Sequence, residues 1–111
     1  MVKKAVFHTR AREAIQGFPD EARMSIGQAI WDLQRGLVLN MPQSRPMAAV
    51  GAGAHELRVR DRAGAYRVFY YLRDERGILV FHAFVKKSQK TPLEEIKTGM
   101  RRLKEMLNEV R

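Results

Sequence analysis

A chain of 111 residues with 45% apolar positions can close one hydrophobic core but not two, and it is too rich in Ile, Leu, Val and Phe to be a disordered tail. A net charge of +9 selects nucleic acid, an acidic protein or anionic lipid as partner, with a merely solvated surface as the plain alternative. With no cysteine there is no disulfide framework, thiolate metal site or cysteine nucleophile, and His8, His55 and His82 lack ligand-like spacing, so no metal or other cofactor is expected.

No apolar stretch reaches the length of a membrane span. Met1-Val2-Lys3-Lys4 is not followed by the apolar core of a signal peptide, and a cytoplasmic protein without membrane contact is expected. Residues 2–8 predict an edge strand anchored by Val2, Ala5 and Phe7. Thr9 is placed to cap a short helix through Gln16, burying Ala11, Ala14 and Ile15 before Gly17 stops it. Pro19 and Asp20 open a longer helix. Ala22, Ile26, Ala29, Ile30 and Leu33 form its buried stripe, and Gly36 ends it. The short join between the two predicts an antiparallel helical hairpin. Trp31 lies off the stripe and is expected in the core or at a partner contact. Asn40 to Ala54, with its prolines, glycines and alanines, predicts a flexible connector. Its glycines are not followed by the Gly-Lys-Ser/Thr of a phosphate loop.

Three strands come next. Glu56-Leu57-Arg58-Val59-Arg60 alternates with a period of two, Tyr66 to Leu72 is aromatic and β-branched, and Ile78 to Val85 is more apolar. Turns at Arg62–Ala65 and Asp74–Gly77 make a meander of them. Of the +9 charge, +5 falls between residues 55 and 91. Arg58, Arg60, Arg67, Lys86, Lys87 and Lys90 therefore make a basic stripe suited to an anion. Thr91 as N-cap, Pro92 at the first position and Glu94 in a capping box predict a last helix. Leu93, Ile96, Met100, Leu103, Leu107 and Val110 would form its apolar seam. The sum is an α+β fold in a single domain, residues 1–111, with helices packed on the sheet.

Glu56-Leu57-Arg58, Gly64, Tyr66-Arg67-Val68, Tyr70, His82-Ala83-Phe84 and Lys86-Lys87-Ser88-Gln89-Lys90-Thr91-Pro92 together resemble the RelE/ParE toxin superfamily, and within it the HigB-type, phage-derived toxins. The resemblance implies a small RelE-like fold and a type II toxin paired with a cognate antitoxin, expected to be a helix-turn-helix protein. It further implies a metal-independent endoribonuclease that cuts mRNA on the ribosome. The alternative is a ParE-like toxin that inhibits DNA gyrase without chemistry.

Such cleavage needs charge on the pentavalent phosphate, a group to take the 2′ proton and one to protonate the leaving oxygen. Arg67, mid-sheet and on the face opposite Tyr66, Val68 and Tyr70, is the candidate for the phosphate. Glu56 stands where RelE tends to be basic. It is either a general base or a structural partner of Arg58 or Arg67. Lys86 falls about where RelE-type toxins place an essential basic residue. Alternation predicts that only one of Lys86 and Lys87 faces the site. Arg58, Arg60, Lys87, Gln89 and Lys90 are the expected RNA or ribosome contacts, and Tyr71 is placed on the face of Arg67 to stack a base. His82, in an apolar run, is favoured as a core residue over a proton carrier. No tyrosine follows the lysines, where RelE would have its catalytic one.

Overall fold

The computed structural model describes residues 2–109. In chain order it contains β1 (Ala5–Phe7), α1 (Thr9–Gln16), α2 (Asp20–Gln34), β2 (Ser44–Pro46), β3 (Ala54–Arg60), β4 (Ala65–Asp74), β5 (Gly77–Lys86) and α3 (Leu93–Leu107). The strands form one sheet in the order β1-β5-β4-β3-β2, with β1 parallel to β5 and every other pair antiparallel. This is the α+β architecture the patterning predicts, with the first strand at an edge and the meander in the centre.

Helices lie on both faces, so the central strands are buried on two sides over much of their length. On one face the expected stripe of α2, Ala22, Ile26, Ala29, Ile30 and Leu33, packs with Leu57, Val59, Val68, Tyr70 and Val80. On the other, Leu103 and Met106 of α3 pack with Phe69, Leu79, Phe81 and Phe84. A register shift in the β4–β5 ladder, where Phe69 opposes His82 but Tyr70 opposes Val80, leaves Phe81 as an extra residue. The bulge keeps Phe81 and His82 together beneath α3 while the strands on either side stay paired.

Several local features depart from the sequence reading. The cap of α1 is His8, whose Nδ1 accepts from the Arg10 amide at 3.2 Å, and Thr9 is already helical. Trp31 is exposed, with the Arg35 guanidinium over its ring at 6.0 Å, which removes the core alternative and leaves that of a partner contact. Residues 40–54 are no loose connector: Ser44, Arg45 and Pro46 pair with Leu57, Glu56 and His55, and Met47 and Val50 enter the second core. Three residues are too few to carry a periodic signal, which is why this edge strand does not declare itself.

The face of α3 also differs. Leu93 and Met100 are exposed, Ile96 and Leu107 are half-buried, and Gly99, Leu103 and Met106 face the sheet; Val110 lies outside the described residues. The cause is Gly99. A Cβ there would meet Cδ2 and Cε2 of Phe69 at 2.7 and 2.9 Å, so the helix packs against the ring through bare backbone. An apolar periodicity does not register a glycine. Gly99→Ala would gain about 1 kcal/mol of helix propensity and lose about 1–3 kcal/mol to overpacking. Phe69 is fully buried and has nowhere to retreat. A net loss of up to about 2 kcal/mol in urea denaturation is expected; a variant stabilised by the full helix-propensity gain of about 1 kcal/mol would show that α3 is not seated on Phe69.

Candidate functional site

The strand register builds the site rung by rung. Arg45, Glu56, Phe69 and His82 lie side by side across four strands, followed by Arg58, Arg67 and Phe84, then Arg60, Ala65 and Lys86. Helix α3 covers the first rung: Thr91, just ahead of it, bonds Glu56, Gly99 meets Phe69, and Glu95 and Arg102 bond His82. The next two rungs are left open, and there the surface forms a cleft of about 460 Å³. Arg58, Arg60, Arg67, Lys86, Lys87 and Gln89 line it. A smaller hollow of about 350 Å³ adjoins it, sharing the three arginines and bounded by Pro42 and Gln43.

Arg58 and Arg67 stand directly opposite each other, a pairing of like charges that weakens a sheet unless something compensates. The compensation is Glu56, 0% exposed beneath them. Its Oε1 accepts from Arg45 Nε at 2.8 Å and lies 3.8 Å from Arg67 Nε, and its Oε2 accepts from the Thr91 hydroxyl at 3.0 Å. Both oxygens are engaged and the residue has no exposure, a geometry that suits the structural partner better than the base. One negative charge among Arg45, Arg58, Arg60, Arg67 and Lys86 leaves the cleft strongly positive, a place for an anionic ligand.

Arg67 is 4% exposed, and its Nη1 donates to the Tyr66 carbonyl at 3.1 Å. Burial pushes its pKa below the ordinary arginine value; Glu56 opposes the shift and Arg58, Arg45 and Arg60 add to it. The Lys86 ammonium is also lowered, by burial first and then by Arg67, with Glu56 opposing, and it donates to the Gln89 carbonyl at 2.7 Å. Lysines shifted in this direction are suited to proton transfer.

Residues 13–104, which hold the whole cleft, match the model of the family described as Phage derived protein Gp49-like (DUF891). The chain belongs to that family. No curated protein matches it. Among solved structures it is similar to a free-state structure of the E. coli toxin RelE carrying two arginine-to-alanine substitutions. The TM-score is 0.56 at 15% identity, over 96% of this chain and 99% of that one. At that identity the likeness is one of fold, and the Gp49-like chain has a RelE-like fold.

Not every expected residue of this Gp49-like site joins it. Tyr71 does share the face of Arg67, but it stands four residues further along β4, about 13 Å away at strand rise. There it opposes Ala54 and Leu79 and packs on the second core, so it stacks no base in the cleft. Alternation gives the face of a side chain and not its distance along the strand. Lys90 is exposed beyond the cleft wall, its carbonyl accepting from Ser88 Oγ at 2.8 Å. Lys87 does reach the cleft beside Lys86, because β5 ends at Lys86 and strict alternation ends with it.

Thr91 is not the N-cap: α3 is preceded by Pro92 without a side-chain cap, and the Thr91 hydroxyl serves Glu56 instead. Arg45 was not foreseen at all. The nearest signal is its position in Pro42-Gln43-Ser44-Arg45-Pro46, since prolines flanking a short polar run suit an edge strand. Among the described residues, no group of three or more His, Asp or Glu side chains is gathered as a metal site would need. No described helix is long and apolar enough to cross a membrane.

His82 is buried under α3, away from the cleft. Arg102 Nη1, which can only donate, lies 2.9 Å from Nδ1, so the proton sits on Nε2 and is donated to Glu95 Oε1 at 2.8 Å. The ring is thus a neutral clip between sheet and helix. Its pKa is lowered, chiefly by burial and further by Arg102 and Arg101, against the raising effect of Glu95. A lowered folded value means the unfolded chain takes the proton first. The clip therefore stabilises fully above the unfolded value of about 6.5 and is lost as pH falls through the folded one. Between about pH 7 and about pH 5, the Tm of the parent should fall more steeply than that of His82→Gln, followed by circular dichroism; parallel curves would remove His82 from the acid response.

Proposed function

We propose that this chain is the toxin of a type II toxin–antitoxin pair, of the HigB type, and that it cuts mRNA on the ribosome without a metal ion. The observation that carries this is the convergence of Arg58, Arg60, Arg67 and Lys86 on one open cleft, around a carboxylate too buried to serve as their substrate partner. Membership of the Gp49-like family and the fold shared with a known toxin support the same reading. The activity would reside in a single domain, residues 1–111, working in the cytoplasm. A cognate helix-turn-helix antitoxin would be its partner outside arrest.

In this mechanism the 2′ oxygen of a nucleotide attacks the adjacent phosphorus, and the bond to the 5′ oxygen breaks. The products are a 2′,3′-cyclic phosphate and a 5′-hydroxyl, so one proton must leave the 2′ oxygen and one must reach the 5′ oxygen. Arg67 supplies fixed positive charge and N–H donors to the phosphate oxygens as negative charge builds on them. Lys86, with its lowered pKa, is the group in the cleft suited to carry a proton. Glu56 acts as counter-ion and support in place of a base. Arg58, Arg60, Lys87 and Gln89 hold the neighbouring phosphates, and Lys90, further out, contacts ribosomal RNA.

The test is cleavage of a defined mRNA by purified protein, with and without programmed ribosomes, mapped by primer extension. Ribosome-dependent cuts are expected, falling at least about a hundredfold in Arg67→Ala, the scale of removing one preorganised donor. Ribosome binding by that variant should persist, and in the parent it should weaken steeply with added salt as phosphate contacts are lost. A folded, growth-arresting protein that cuts nothing would instead point to DNA gyrase, approached without chemistry through a surface such as the exposed Leu93 and Met100 of α3.

A further inference from the structure

Among the described residues, Arg67 Nε is the one buried side-chain nitrogen or oxygen without a hydrogen-bond partner. Such an orphan in a folded interior calls for a reason. The nearest carboxylate oxygen, Glu56 Oε1, is 3.8 Å away, too far for a hydrogen bond. Left to themselves, an arginine and a carboxylate at this separation close into a two-pronged pair, which is their strongest geometry. Here they do not close.

The reason lies in two other side chains. Arg45, on the edge strand β2, holds Oε1 at 2.8 Å, and Thr91, on the segment entering α3, holds Oε2 at 3.0 Å. Each engages a different oxygen, so the carboxylate is fixed in rotation from both ends. Glu56 then supplies charge to Arg67 without taking its fork. A guanidinium captured by the carboxylate would have fewer N–H groups to give a phosphate.

The geometry points to Thr91 and Arg45 as positioning residues for Arg67, a role that rests on the ribonuclease reading above. They act through Glu56: by occupying its two oxygens they keep the carboxylate from pairing with Arg67, whose guanidinium stays available to a phosphodiester oxygen in the cleft. Thr91 also ties this arrangement to the lysine wall, because the segment it belongs to is held at its other end by Lys86 on the Gln89 carbonyl. The last part of the Lys-Lys-Ser-Gln-Lys-Thr-Pro run thus acts, through Glu56 two strands away on β3, on the arginine of the strand between them.

Thr91→Val removes the hydroxyl at nearly constant shape, at a half-buried position that should tolerate it, and Thr91→Ser keeps the hydroxyl. Two readouts are taken on both. The first is single-turnover and steady-state cleavage on programmed ribosomes. Thr91→Val should lower kcat roughly ten- to hundredfold with KM unchanged, as expected for a misplaced group, and Thr91→Ser should restore it. A merely structural threonine would move Tm and leave this split absent.

The second is the Nε–Hε resonance of Arg67 in the free protein, followed by ¹⁵N NMR. It should shift and exchange more slowly in Thr91→Val and in Arg45→Gln, where Glu56 is released to pair with it, and remain at its parent position in Thr91→Ser. An unchanged kcat in Thr91→Val overturns the positioning role whatever the resonance does. If the parent protein cuts nothing, the ribonuclease reading fails on its own and the resonance decides: movement in Thr91→Val reversed by Thr91→Ser supports the arrangement, and no movement overturns it.

Discussion

The site is organised by one electrostatic constraint: a carboxylate with no exposure to water must neutralise a group of cations that would otherwise drive each other apart. Glu56 stands on the central part of the sheet with Arg45 beside it on one strand, and Arg58 and Arg67 facing each other one rung on. Taking a charge out of water costs several kcal/mol unless it is paired and hydrogen-bonded, and here both oxygens are. The strands thus come to carry their basic side chains close together. The same constraint explains why the cleft is positive: one charge is compensated, and the remainder faces outward.

Around that centre the two faces of the sheet have different work. The α1–α2 face is a plain apolar core, filled by the helical stripe and the alternate residues of β3, β4 and β5. The α3 face is mixed. Phe69, Phe81, Phe84, Leu103 and Met106 give it apolar area, but His82, Glu95 and Arg102 fix where the helix lies. Because α3 begins only after Pro92, it covers the rung of Glu56 and His82 and stops short of Arg67 and Lys86. The extent of one helix decides where the protein is core and where it is a site.

Much of this was legible in the sequence where a period was long enough to read. The buried stripe of α2 and the three central strands follow from spacing alone, because a two-faced helix or strand must repeat. The resemblance to the RelE/ParE superfamily, carried by Glu56 to Pro92, gave the fold and the expectation of a basic site; the structure brings Arg58, Arg60, Arg67, Lys86, Lys87 and Gln89 to one cleft. The rest depended on distances that a pattern does not contain. Tyr71 has the right face and the wrong position along its strand. Thr91 satisfies every local rule for an N-cap, yet the helix starts one residue later, behind Pro92, and the Thr91 hydroxyl donates to the buried carboxylate of Glu56. Gly99 and Arg45 escape notice because a glycine has no side chain to pattern and a three-residue strand has no period.

The parallel pairing of β1 with Ile78, Leu79 and Val80 has a consequence for how the chain comes together in time. The central meander closes through short turns, whereas β1 must find a partner roughly seventy residues downstream, the kind of contact whose loop entropy makes it slow. Until it does, that edge of β5 is an open run of three residues that the finished fold buries completely, and unpaired apolar edges are where nascent chains join one another. The first strand of this sheet in chain order is the one that waits longest for its place.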